Sequence, residues 1–398
     1  MNQTSKPTLT NRAKPTKASS TPAQAAQAGV LGNMSPQSFM GKHWQRKPAL
    51  IRGAVAAPGG IMSRQELFAL AERPDVESRL IESVGGGEGE QWHMRAGPLK
   101  RRALPALAQP NWTMLVQGVD TLDNRAYELL QQFRFLPDAR LDDIMISWAA
   151  PGGGVGPHFD SYDVFLLQLH GKRQWRIGRQ KDLSLKPDMP LKILAHFEPE
   201  QTFVLEPGDM LYLPPNWAHD GVAVDGDCMT LSVGFKAPAR AGLAAEVLLR
   251  MSEMYEDEHL YSDKGAQVTS NPGELPHGLL EFAQDAVQRL LREPNALACA
   301  LGEVMTEPKP TIAFVAPDQP WDRRCALHVA PQTRMLYDQR HVFINGESFK
   351  ASGVDAKIIK KFSDSRLLST AHIQQLSDDA LELVSEWYEA GWIYIKSE

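Results

Sequence analysis

The sequence predicts a mainly β (α+β) protein: a small β-barrel from the middle of the chain, then a helical segment, then a winged-helix-like segment. Three observations predict it. Residues 140–236 read almost wholly as strand and turn. After Phe235 the texture changes, and Leu243, Val247, Leu248 and Met251 recur at helical spacing. Late in the chain, Val342-Phe343-Ile344-Asn345-Gly346 signals a hairpin among helices, because Asn-Gly supplies the two positive-φ positions of a type I′ turn.

A length of 398 residues exceeds one ordinary core, so several domains are expected. Hydrophobic content of 43% and charged content of 23% describe a soluble globular chain. Net charge −6 and a pI near 6.0 exclude a general nucleic-acid coat. Cys228, Cys299 and Cys325 are few, odd in number and far apart, so neither a disulfide framework nor a thiolate zinc site is supported and a reducing cytoplasm fits. No apolar run approaches the roughly 20 residues that span a bilayer, and no secretory leader is visible.

Residues 1–32 are expected to form a disordered tail, rich in Ala, Thr, Pro, Gln and Ser, with no acid before Glu66. Pro7, Pro15 and Pro22 would interrupt an amphipathic presequence helix. The composition turns globular near Met34. Ser35-Pro36 starts a helix, Pro48–Ile51 reads as a strand, and Ser63 to Glu66 has capping-box spacing ahead of Leu67 and Leu70. Strands follow at Ser78–Glu82, Gln91–Arg95 and Trp112–Val119, then a helix through Tyr127, Leu129, Leu130 and Phe133, then a strand over Asp143–Trp148. The barrel domain is thus placed at 33–236. A helical domain occupies 237–306, where the apolar faces of Ala237–Met254 and Leu279–Leu291 could pack on each other or on a second subunit. In 307–398, Ser377 caps a helix carrying Leu381, Val384, Trp387 and Tyr388, Gly391 ends it, and Trp392–Ile395 returns as a strand.

The chemistry concentrates in Gly152–Gly171. In an extended strand residues two apart share a face, so His158 and Asp160 point one way, with Tyr162, Val164, Leu166 and Gln168 continuing that face. An imidazole and a carboxylate on an apolar face need something that offsets their desolvation, and a metal ion does so. The first cupin-barrel motif runs Gly, five residues, His, one residue, ligand, three residues, Glu, six residues, Gly. Gly152, His158, Asp160 and Gly171 fit it, with Val164 at the Glu position. The second motif, Gly, five residues, Pro, four residues, His, matches Gly208, Pro214 and His219. Valine in place of the fourth ligand leaves two imidazoles and one carboxylate, the facial triad of non-haem Fe(II) oxygenases. His158, Asp160 and His219 are therefore the expected iron ligands.

In the next strand Arg173, Trp175 and Ile177 share the apolar face. A guanidinium there needs an anion, for which the far carboxylate of 2-oxoglutarate or an internal acid would serve. Thr230, Ser232 and Gly234 share one face of Met229–Phe235, so Ser232 is a candidate to help bind that cosubstrate, and Ser147 is another.

These stretches resemble a known family, the JmjC-type Fe(II)/2-oxoglutarate ribosomal oxygenases of the cupin-like class, and especially the bacterial ribosomal protein arginine hydroxylases. The resemblance rests on Trp44–Arg52, Pro151–Phe165 and Leu213–Gly221 and is specific over about 33–236. It implies a double-stranded β-helix, iron on His158, Asp160 and His219, and 2-oxoglutarate near Arg173 and Ser147. It also implies a helical dimerisation domain, hence a homodimer, and a substrate arginine β-carbon in a large-subunit ribosomal protein. A substrate guanidinium would want an acid at the mouth, with Asp163 or Asp220 as candidates. The competing readings are histidyl hydroxylation or demethylation of another protein, and a metal-cupin regulator that binds DNA. The last is disfavoured, because the terminal helix carries Asp378, Asp379, Glu382, Glu386 and Glu389 with no Lys or Arg, so no direct sequence-specific nucleic-acid binding is expected. Lys357, Lys360, Lys361 and Arg366 are expected on a solvated basic face.

Overall fold

The structure is a computed structural model that describes residues 29–85 and 90–396. The expected tail lies outside the described residues up to residue 28. Residues 29–32 correct its boundary, because Val30 and Leu31 are buried in the main core. Two apolar residues are too short a run to stand out against a polar segment.

The helix α1 (Pro36–Lys42) begins where the Ser35 hydroxyl accepts from the Ser38 N–H, with proline at the first position, where no N–H is missed. After β1 (Ala49–Ile51) comes α2 (Arg64–Ala71), opened by a reciprocal capping box between Ser63 and Glu66. The strands β2 (Ser78–Val84), β3 (Gln91–Ala96) and β4 (Trp112–Val116) follow. The strand expected to reach Val119 stops at Val116, because Gly118 at φ 66° turns the chain into a short 3-10 segment. Then come α3 (Asn124–Gln131), β5 (Leu141–Ala149), β6 (Asp163–His170), β7 (Arg173–Gly178), β8 (Gln201–Leu205), β9 (Met210–Leu213), β10 (Ala218–Ala223) and β11 (Cys228–Phe235).

These strands form two facing sheets. The larger is antiparallel in the order β1-β9-β6-β11-β5-β4-β2-β3, and the smaller is β10-β7-β8. Strand alternation divides the large sheet cleanly. Met229, Leu231, Val233 and Phe235 face outward into a core shared with Phe39, Leu67 and Phe133 of the helical layer. Val164 and Leu166 face inward and meet Trp175, Ile177 and Leu205 of the small sheet. Each such large apolar side chain contributes about 1.5–3 kcal/mol on burial. The result is the double-stranded β-helix expected from the sequence.

Three helices follow: α4 (Arg240–Glu253), α5 (His277–Arg292) and α6 (Ala296–Thr306). Val247, Met251 and Ala300 form their only shared buried cluster among the described residues. The terminal unit comprises β12 (Leu327–Val329), β13 (Met335–Tyr337), β14 (His341–Ile344), β15 (Glu347–Lys350), α7 (Gly353–Ser365), β16 (Leu367–Leu368), α8 (Thr370–Ile373), α9 (Asp378–Glu389) and β17 (Ile393–Tyr394). Its hairpin turns at Asn345 and Gly346, with φ 48° and 89°. Packing runs across the expected boundary at 306. The Thr306 hydroxyl accepts from the Gly346 N–H at 3.1 Å, and the Ser348 hydroxyl donates to Glu303 at 2.6 Å, so α6 rests on this hairpin.

Arg366 corrects the expected basic face. It donates to the Tyr127 hydroxyl of α3 and to the carbonyls of Ala330 and Thr333, which places it in the junction between barrel and terminal unit. A basic residue near the end of a helix reads as solvated until the tertiary fold supplies acceptors. The solvent face of α9 carries Asp378, Asp379, Glu382, Glu386 and Glu389, all exposed.

Candidate metal centre

His158 and Asp160 do not lie in a continuous strand, because β6 starts only at Asp163. They sit in the glycine-rich approach to β6. His158 is tied to His219 by an isolated bridge, with N–H to carbonyl distances of 3.0 and 2.8 Å in the two directions. The Asn216 N–H donates to the Asp160 carbonyl at 2.7 Å, fixing the third residue against the Leu213–His219 turn. This close approach requires Gly154, where a Cβ would stand 2.7 Å from the Gly221 carbonyl oxygen. The face expected of the strand nonetheless forms. His158, Asp160, Tyr162, Val164 and Leu166 line one cavity of about 460 Å³. Gln168 does not line it, because its side chain is held along the strand: its oxygen accepts from Thr230 Oγ1 at 2.9 Å and its amide donates to the His170 carbonyl at 2.6 Å.

Ligand atoms of His158, Asp160 and His219 all lie within 4.8 Å of one another. Both rings are oriented by carbonyls: Nδ1 of His158 is 2.9 Å from the Gly156 oxygen, and Nδ1 of His219 is 2.9 Å from the Trp217 oxygen. A carbonyl only accepts, so each Nδ1 carries a proton and Nε2 is the ring atom left to ligate a cation. His219 Nε2 stands 3.6 Å from Asp160 Oδ2. Burial, and then the adjacent His158, push the His219 imidazole down to about 4, so it is neutral near pH 7 and ready to ligate a cation.

Arg173, on β7, is 5% exposed and faces the same cavity. Its Nη1 donates to Ser147 Oγ at 3.3 Å, while Nε and Nη2 are buried without any hydrogen-bond partner among the described residues. These two nitrogens form the edge of the guanidinium that matches a carboxylate bidentately. Among the described residues no acid pairs with Arg173, so the internal salt bridge weighed from the sequence is not there. An always-charged group with an orphaned edge in a cavity points to an anionic ligand. Ser232 lines the cavity too, opposite Met145 on β5 and Leu166 on β6.

The expected acids at the mouth are corrected. Asp163 is fully buried on the far side of β6, where it accepts from Arg140, Gln45 and the Tyr212 hydroxyl at 2.9, 3.0 and 2.6 Å. Asp220 points away from the cavity, one position past His219, and pairs with Arg176. Alternation explains both, since each neighbours a residue that faces inward. The acids that line the cavity besides Asp160 are Glu77, Asp142 and Asp143, the last two held by Lys309 at 3.0 and 2.7 Å. Sequence reasoning also missed Thr113 and Trp175 Nε1, buried polar groups of the cavity wall that lack partners among the described residues. A threonine on the inward side of an otherwise apolar strand was the available signal for the first.

A double-stranded β-helix that closes two histidines and an aspartate beside an anion-seeking arginine defines a JmjC-type oxygenase centre. Residues 128–243 match the JmjC domain family and residues 286–394 the ROXA-like winged helix. The chain is 32% identical over 286 residues to the ribosomal protein uL16 3-hydroxylase of Escherichia coli, covering 71% of this chain and 74% of that protein. It is 27% identical to a probable ribosomal oxygenase of Haemophilus influenzae, covering 92% and 97%. The solved structure of YcfD, a ribosomal oxygenase from Escherichia coli, in complex with cobalt and 2-oxoglutarate is similar with a TM-score of 0.76 at 26% identity, over 92% of this chain and 99% of that one. The chain belongs to the JmjC-domain ribosomal oxygenases, which are 2-oxoglutarate-dependent dioxygenases.

Proposed function

We propose that this chain uses Fe(II) and 2-oxoglutarate to hydroxylate a side chain of a large-subunit ribosomal protein, the β-carbon of an arginine. The observation that carries the reading is the orphaned Nε–Nη2 edge of Arg173 in the same cavity as His158, Asp160 and His219. The donor set fits the metal: two imidazoles and a carboxylate leave positions free for other ligands. His158, Asp160 and His219 would hold the iron, and Arg173 with Ser147 the far carboxylate of the cosubstrate, with Ser232 beside them. Bound iron supplies the activation of dioxygen, in which 2-oxoglutarate is oxidised to succinate and carbon dioxide and one oxygen atom enters a substrate C–H bond.

The chain's own contribution is placement. The Gly156 and Trp217 carbonyls fix both rings, and Arg173 sets how far the cosubstrate reaches from the metal end. Leu115, Met145, Val164, Leu166 and Trp175 give the cavity apolar walls that exclude water. Burial, and then the charge of Asp160, push the Tyr162 phenol above its usual range, so it stays a donor beside the metal end. Asp142 and Asp143 are the carboxylates available to a substrate guanidinium at the rim, in exchange for Lys309.

The ribosomal substrate extends to this chain what the uL16 3-hydroxylase does, and it implies action in the cytoplasm. We further propose three working units, 29–236, 237–306 and 307–398, and a homodimer. Leu248 and Leu249 of α4, Leu280, Val287 and Leu291 of α5, and Leu297 and Leu301 of α6 are all exposed, and a second copy would cover them.

Intact-mass spectrometry of ribosomal proteins tests the reading. Ribosomes from cells lacking this protein are measured before and after incubation with it, Fe(II) and 2-oxoglutarate. A one-oxygen gain on uL16 is expected, and no gain on any large-subunit protein would overturn it.

A further inference from the structure

The inner wall of the barrel contains a polar group that neither the metal nor the Arg173–Ser147 pair uses. Thr113 lies in the middle of β4, between two strands, and its neighbours Trp112 and Met114 face the outer core. Its side chain faces the cavity, fully buried, and its Oγ1 has no hydrogen-bond partner among the described residues. A buried, unpaired hydroxyl is destabilising, so a valine of the same shape would serve better if the position only filled space.

Register locates Thr113 at the Arg173 end of the cavity. On the large sheet Thr113 pairs with Ala149, and its inward neighbour Leu115 pairs with Ser147, the residue that accepts from Arg173. On the small sheet Arg173 pairs with Ala223. Ala149 and Ala223 meet in one buried cluster with Cys228, which closes this end of the barrel. Thr113 and Arg173 therefore flank the same closure from opposite sheets. Trp175 bridges from there toward the metal end: the Arg173 guanidinium lies 5.8 Å from its ring centroid, and the His219 ring lies 5.8 Å away as well. The unpartnered groups at this end are all donors or can act as donors, namely Arg173 Nε and Nη2, Trp175 Nε1 and Thr113 Oγ1. A carboxylate offers about four acceptor sites, and the two Arg173 nitrogens use only two of them.

We propose that Thr113 is a further binding residue for the cosubstrate, its hydroxyl donating to the carboxylate that Arg173 grips. The inference rests on the reading that this anion is 2-oxoglutarate. Threonine rather than valine at 113 then fixes the second oxygen of that carboxylate and so the angle at which the cosubstrate reaches the metal end.

The test uses the full chain loaded with Mn(II), which binds without turnover, and titrates 2-oxoglutarate and 2-oxopentanoate by calorimetry. The second probe carries a methyl group where the first has its far carboxylate. Thr113→Val should weaken 2-oxoglutarate binding roughly tenfold, the scale of a hydrogen bond to a charged group. Thr113→Ser should recover most of it, and 2-oxopentanoate should bind wild type and Thr113→Val alike. Unchanged 2-oxoglutarate affinity in a folded Thr113→Val protein overturns the proposal, as does an equal loss for both probes. Should the valine variant not fold, Thr113→Ala against Thr113→Ser gives the same comparison. The underlying reading fails separately: wild type would then bind the two probes equally, or Arg173→Ala would leave 2-oxoglutarate binding intact.

Discussion

The barrel and the helices that follow it differ in what covers their apolar faces. Every residue of β4 and of β11 is buried, because helices close one side of the large sheet and the small sheet closes the other. No residue of α5 is buried, although it runs for 16 residues. Its Leu280, Val287 and Leu291 recur on one stripe, and all three are exposed. The chain therefore encloses its candidate catalytic unit by itself, while its helical unit keeps an exposed apolar stripe that the proposed second copy would cover. Chemistry and assembly should then fail independently when each is broken.

The largest effect is expected inside the barrel. Asp160→Ala should abolish turnover while leaving the melting temperature near wild type, because the residue is half-buried and makes no contact with the outer core. 2-Oxoglutarate consumption at the wild-type rate would remove Asp160 from the metal set. Arg173→Ala should come next, raising the KM for 2-oxoglutarate by about 30-fold or more, the cost of stripping a buried anion of its cationic partner. An unchanged KM would make Arg173 structural.

On the other side of the comparison, Leu280→Asp combined with Leu291→Asp should halve the molar mass measured by light scattering and leave 2-oxoglutarate turnover in place. Either a wild-type monomer or a loss of turnover in proportion to dissociation would break the independence of the two regions.

The smallest effect concerns the junction. Burial drives the Asp120 carboxyl up to about 6 from 3.8, with Arg334 and the Ile144 N–H opposing the rise. The folded state thus holds this proton more tightly than the unfolded chain. That stability is fully present below about pH 4 and is lost as pH rises through about 6. Asp120→Asn keeps an acceptor for Ile144 and should make the protein more stable at pH 7, by on the order of 1–3 kcal/mol. Melts from pH 4.5 to 7.5 check it: the gap between variant and wild type should widen with pH, and a constant gap would show that the carboxyl does not titrate there.

Much of the site was legible because spacing and alternation are local rules. His158, Asp160 and His219 follow from two motifs, and Arg173 follows from the parity of one short strand. The same parity, applied to Asp163 and Asp220, would have turned both away from the cavity. Thr113 was harder, because its strand lies far earlier in the chain and nothing nearby says that β4 sits next to β5. Lys309, Asp142 and Asp143 meet only because the segment before the terminal unit crosses the barrel rim.

By itself the sequence determined the order of the main elements, the caps at Ser35, Ser63 and Ser377, the candidate metal ligands and the arginine that faces with them. Each of these depends on neighbours within a few positions or on a fixed repeat along one strand. Tertiary structure alone decided that Val30 and Leu31 belong to the core, that Arg366 is held in a junction rather than in solvent, and that Arg173 meets no acid among the described residues. Those outcomes depend on which distant groups arrive at one place, and the free energy of a buried charge is set by the partners it finds there.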